Sequence, residues 1–71
     1  SILQQETPLR VVLFLLKHPN GKHKDILKEV SISSSTLSYH LNKLVSHDII
    51  DIPLYTENRG YNVKNKEYIT G

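Results

Sequence analysis

The sequence predicts an α+β domain, mainly α, in which three helices are followed by a two-stranded β-hairpin. Three observations carry the prediction. Leu37, Leu41 and Leu44 recur at i, i+4 and i+7 behind Ser33, which makes one stripe of a 3.6-residue helix and a residue suited to cap it. Pro19-Asn20-Gly21 breaks an apolar segment that begins at Leu9. Ile49 to Tyr55 is β-branched and aromatic, and Tyr61 to Lys64 can return against it across the polar turn residues Thr56 to Gly60.

At 71 residues the chain is read as a single domain, near the lower limit for one apolar core. Residues 1–6 are a lead-in whose Ile2 and Leu3 belong either to a frayed end or to the start of a pairing helix. Thr7 followed by Pro8 predicts a helix over 7–18, with threonine as cap and proline at the first helical position, where its missing N–H costs nothing. Val11 to Leu16 is apolar nearly all round, and despite its valines the cap and the breaker favour helix over strand. A second helix is expected over 23–30, with Ile26, Leu27 and Val30 as its stripe and Asp25 near its start, where negative charge suits the dipole. Ser31-Ile32-Ser33 makes a tight turn with Ile32 as a plug, and the third helix runs over 34–47. Asp48 falls where the chain leaves that helix, and aspartate tolerates the left-handed conformation common at such exits. The hairpin spans 49–64, with Pro53 placing its first strand at an edge. In the tail, 65–71, Asn65 can cap a short C-terminal helix through Lys66, Glu67, Tyr68 and Ile69. The order is that of a helix-turn-helix with a β-wing.

Composition narrows the function. The chain has no cysteine, which excludes a disulfide framework and thiolate metal sites. Its net charge of +2 and pI near 9.0 permit an anionic partner without requiring one. The longest apolar run is too short to cross a bilayer and the first residues lack a signal peptide's regions, so a soluble, cytoplasmic protein with no membrane partner is expected. The ends at Ser1 and Gly71 are expected to be cuts within a longer chain. No Gly-x-Ser-x-Gly elbow or Ser/His/acid arrangement is present, and no catalytic residue or enzyme activity is expected. His40 and His47 share a face at i and i+7 but have no carboxylate or thiolate at ligand spacing. They are read as structural or solvated, and neither metal nor cofactor is expected. Tyr55, Tyr61 and Tyr68 read as packing along the hairpin and tail.

The outer side of the third helix is more telling. Opposite the leucines stand Ser34, Ser35, Ser38, Tyr39, Asn42 and Lys43, which offer hydroxyls, an amide and one cation, but no acid. A helix exposed only for solubility mixes Glu with Lys and uses few serines, which are mediocre helix formers. This face is therefore read as a contact surface.

Three segments, TPLRVVLFLLKHP, SISSSTLSYHLNKL and VSHDIIDIPLYTENRGYNV, supply a first helix, a turn with its recognition helix, and an exit with wing. From Thr7 onward the chain thereby resembles the winged helix-turn-helix transcription regulators of the broad ArsR and MarR type. It departs from them at Asp48, where such proteins usually carry glycine, and in lacking the cysteine ligands of the metal-sensing members, so thiolate metal sensing is not implied. The resemblance implies a prokaryotic regulator, archaeal sources included, that binds double-stranded DNA as a homodimer or through a tandem second domain.

On that reading the third helix enters the major groove, which is about 12 Å wide and admits one helix. Ser34, Ser35 and Ser38 then lie nearest the base edges, with Tyr39 and Asn42 one turn on, and the Asn42 amide suits an adenine edge. Phosphate contacts are expected from Lys22, His23, Lys24, Ser33, Thr36 and Lys43. The wing candidates are Asn58, Arg59 and Lys64, opposed by Glu57 in the same turn. With about five phosphates neutralised, log K falls with log salt at a slope of roughly −4 to −5. His40, at i+3 from Leu37, is read as a boundary residue. Two rival readings are open: a winged helix used for protein assembly, indifferent to Asn42→Ala or Arg59→Ala, and an accessory DNA-binding domain of a larger nucleic-acid enzyme.

Overall fold

A computed structural model describes residues 2–53 and 60–64. Helix α1 spans Glu6–Lys17, α2 His23–Val30 and α3 Ser34–Ser46. Strands β1 (Ile50–Asp51) and β2 (Asn62–Val63) pair antiparallel, with Ile50 opposite Val63 and Asp51 opposite Asn62. The mainly helical winged helix-turn-helix architecture expected of the sequence is the one observed. The tail helix expected over 65–71, and the hairpin tip with Asn58 and Arg59, lie outside the described residues.

The start of the first helix differs from the expectation. Gln5, extended at φ −82° and ψ 140°, precedes the helix, and its carbonyl accepts the Leu9 N–H at 3.2 Å. Thr7 is therefore not the cap, and Pro8 takes the third helical position rather than the first. Proline is tolerated there because none of the first-turn N–H groups has an intrahelical acceptor. Its ring is buried. The lead-in is a single 3-10 turn, Ile2–Gln4, and Ile2 and Leu3 pack against the core.

The core is one cluster: Val11, Val12 and Leu15 from α1, Ile26 and Val30 from α2, Leu37, Leu41 and Leu44 from α3, then Ile49 and Ile50. Helix α1 is its hub and packs against the 3-10 turn, α2, α3 and β2. Each of the three α3 leucines is at most 1% exposed, so each contributes about 1.5–3 kcal/mol of transfer free energy that holds this helix by one side. The apolar run of α1 is not buried all round, since Leu13 is 42% exposed. The Arg10 guanidinium also ties α1 to α2, donating to the Glu29 carbonyl at 3.0 Å in the last turn of α2.

Among the described residues, three that are not glycine hold left-handed backbones between the elements: Asn20, Ser31 and Asp48. At Asp48 the reason is complete. His47 caps α3, Asp48 N–H bonds the Val45 carbonyl at 2.9 Å, and Ile49 N–H reaches back to the Leu44 carbonyl at 3.0 Å. This is the Schellman arrangement, and its customary apolar contact is supplied by Leu44 and Ile49, both buried in the core.

The hairpin is short because Ile52 points outward, 62% exposed, and Pro53 has no N–H to give a ladder. What it lacks in length it makes up in ties to other elements. Tyr61 N–H bonds the Gly21 carbonyl at 2.9 Å. The Asn62 side chain accepts from Asn20 N–H at 3.0 Å and donates to the Asn20 side-chain oxygen at 2.9 Å. Beside this clasp, Gly60 lies so close to the Asn20-Gly21 backbone that a Cβ would stand 2.1 Å from the Asn20 carbonyl oxygen. At the other end, Lys64 N–H bonds the Ile49 carbonyl, and its ammonium meets the Asp48 carboxylate at 2.6 Å.

Candidate nucleic-acid interface

Helix α3 begins at a turn that the serines close locally. The Ser33 hydroxyl accepts from Thr36 N–H at 3.2 Å and donates to the Thr36 hydroxyl oxygen at 2.7 Å. Ser33 is thus the N-cap, as its position suggested. Its hydroxyl is committed within the turn, whereas the Thr36 hydroxyl keeps its own hydrogen for an outside acceptor. The first-turn amides of α3 likewise have no intrahelical acceptor.

Successive residues of a helix turn by about 100°. With the leucines facing the core, Ser35, Tyr39, Asn42 and Ser46 fall in one sector about 60° wide on the far side. All four are exposed, Tyr39 by 58%. Ser46 was not among the sequence candidates, although its spacing of i+4 from Asn42 and i+7 from Tyr39 marks it. Its hydroxyl donates to the Lys43 carbonyl at 2.8 Å.

Ser38 and Lys43 flank this sector and are half-buried. The Lys43 ammonium donates to the Tyr39 hydroxyl at 3.2 Å and lies 5.4 Å from the centre of its ring, a contact one helical turn apart. Tyr39 also meets the His40 ring edge-on at 5.4 Å. The Nδ1 of His40 is buried and finds no hydrogen bond among the described residues. Ser34, in the first turn, is exposed.

Beside α3 stands the entry of α2. Lys22 precedes this helix, and its N–H bonds the Asp25 carboxylate at 3.2 Å, so the acid expected near the helix start is spent on closing the first turn. Lys24 is exposed, and His23 is half-buried with its Nε2 3.3 Å from the Ser38 hydroxyl. The wing candidate Lys64 is drawn to Asp48, which holds its ammonium above the ordinary value of 10.5, mainly through their hydrogen bond. Asn58 and Arg59 lie outside the described residues, as does Glu57.

The structure thus brings Ser35, Tyr39, Asn42 and Ser46 to one exposed edge of α3, with Lys43 and Ser38 on its flanks, Ser34 exposed in the first turn, and the α2 entry joined to that helix through His23 and Ser38. A model of one family, described as bacterial regulatory protein, arsR family, matches residues 5–51, from the residue that precedes α1 through β1. The chain belongs to the arsR family. As a helix-turn-helix domain of that family it binds DNA and serves in transcription regulation. No curated protein and no solved structure matches it. No helix among the described residues of this arsR-family domain is long and apolar enough to cross a membrane.

Proposed function

We propose that this domain binds double-stranded DNA with α3 in the major groove, reading bases through Asn42, Tyr39, Ser35, Ser34 and Ser38. The observation that carries the reading is the exposed, acid-free sector of hydroxyls and amide on α3, whose leucines lock the opposite side into the core. Asn42 offers a donor and an acceptor to an adenine edge, and the Tyr39 ring offers an apolar face for a thymine methyl. Lys43, held against Tyr39, brings a positive charge to the rim of this edge.

Affinity then comes from phosphates, through Lys22, Lys24 and Lys43, the Thr36 hydroxyl and the free amides at the α3 start. The wing tip, with Asn58 and Arg59, extends the footprint to the neighbouring backbone or minor groove. One such domain covers few base pairs. Two copies, or a second domain in tandem, read half-sites about one helical turn apart and supply the specificity a regulator needs.

The test is fluorescence anisotropy with a random 20-base-pair duplex at two salt concentrations, followed by a duplex selected from a random pool. Binding at low salt that weakens steeply with salt, with a tighter selected duplex, is the expected result. Absence of binding to any duplex at low salt refutes the groove reading.

A further inference from the structure

The contact between His23 and Ser38 joins the first residue of α2 to the reading helix across fifteen positions of sequence. A serine hydroxyl has one hydrogen and two lone pairs. If its hydrogen points to the imidazole nitrogen, it can only accept from a base, as from the adenine or cytosine amino group. If the imidazole nitrogen donates instead, the hydroxyl hydrogen is free for guanine O6 or N7, or for thymine O4. In the first case the hydroxyl is left as an acceptor alone; in the second it keeps its hydrogen and one lone pair, in directions fixed by the imidazole bond.

Resting on the groove reading above, we propose that His23 is a positioning residue for base recognition: it holds the Ser38 hydroxyl in one orientation and thereby decides which base edge that hydroxyl accepts. Two further observations fit this role. Ser38 flanks the exposed sector rather than lying at its centre, so one side of its hydroxyl faces α2 while the other borders the groove-facing edge. His23 is half-buried with Nε2 turned to Ser38, a poorer position for a phosphate than that of exposed Lys24 beside it.

A double-mutant cycle tests the role. A duplex selected by the parent protein from a random pool, and its single-base-pair variants, are titrated with the parent, His23→Ala, Ser38→Ala and the double variant. One base pair is expected at which each single substitution reduces discrimination by roughly two- to tenfold, the worth of one net hydrogen bond. The double variant loses no more than either single one, and affinity for a random duplex stays within about twofold of the parent. Should His23→Ala not fold, as judged by its melting curve, His23→Phe keeps the ring and removes the bond, and the same loss is expected. A uniform drop in affinity for all duplexes with discrimination intact marks His23 as a phosphate contact and overturns the proposal, as do effects of the two substitutions that multiply. Failure of the parent to bind any duplex removes the groove reading and this inference together, whereas discrimination that survives in the folded His23 variants removes this inference alone.

Discussion

Replacing Gly60 by alanine isolates the hairpin's attachment from the rest of the fold. The new Cβ would stand 2.1 Å from the Asn20 carbonyl oxygen, 2.5 Å from the Asn20 carbonyl carbon and 2.5 Å from the Gly21 oxygen. All three are backbone atoms, so no side chain can rotate away, and the two segments must separate by roughly 1 Å to restore ordinary contact. That movement breaks three bonds: Tyr61 N–H to the Gly21 carbonyl and the two between Asn20 and Asn62. At about 0.5–1.5 kcal/mol net for each, and nearer the lower figure for the exposed asparagine pair, Gly60→Ala costs about 1.5–2.5 kcal/mol. For a domain of this size that lowers the melting temperature by roughly 6–20 °C. Gly21→Ala is the control, because its Cβ meets first the Leu15 side chain, at 2.9 Å, which can shift at a cost of about 1 kcal/mol. Urea unfolding gives the stabilities, and amide exchange at Tyr61 reports the attachment directly. A Gly60→Ala protein within about 0.5 kcal/mol of the parent, with the Tyr61 amide still protected, would refute the reasoning.

Other consequences can be checked in the same preparations. Leu41→Ala removes a side chain that is 1% exposed at the centre of the α3 stripe, and is expected to cost about 2–5 kcal/mol in urea unfolding. Ser33→Ala removes the cap of α3 and should cost about 1 kcal/mol, with faster exchange of the Thr36 amide as its local signature. In DNA titrations Asn42→Ala should erase about 1–3 kcal/mol of discrimination at one base pair, whereas Lys43→Ala should weaken all duplexes alike and lower the salt slope by about 1. Burial raises the Tyr61 hydroxyl above its ordinary 10.0, and the hydrogen bond to Asp48 raises the Lys64 ammonium above 10.5. The folded chain therefore holds both protons longer than the unfolded chain. Their contribution is fully present below about pH 10 and is lost as the pH rises through the folded values. A urea midpoint that falls above about pH 10 is expected, less steeply in a Tyr61→Phe, Lys64→Met protein, and a flat profile in the parent would contradict it.

The parts of the fold legible in the sequence are those decided within a turn or two of chain. The leucine stripe, the Ser33 cap and the left-handed Asp48 each depend on neighbours three to five residues away, where periodicity and side-chain chemistry suffice. The first helix shows the limit of such signals. Thr7-Pro8 is a sound local cap, yet the 3-10 turn, packed through Ile2 and Leu3, lets the helix begin a residue earlier at Glu6. The polar ties that shape the candidate site join residues far apart: His23 with Ser38, Asp48 with Lys64, Asn20 with Asn62. No spacing rule announces them, because each partner alone reads as a surface residue. Ser34, Ser35, Ser38, Tyr39 and Asn42 could be gathered from the sequence as one outer face, but its grading into a central edge and half-buried flanks needed the packing of α2 and the cation of Lys43. Ser46 was within reach of the same helical spacing that marked the others.

The returning strand that follows the stretch 54–59 is fastened from outside the hairpin. The Asn20–Asn62 clasp and the Tyr61–Gly21 bond hold the returning strand to the corner after α1, while Lys64 grips the exit of α3. The strand's position therefore rests on the helical body as well as on the two-residue ladder with β1.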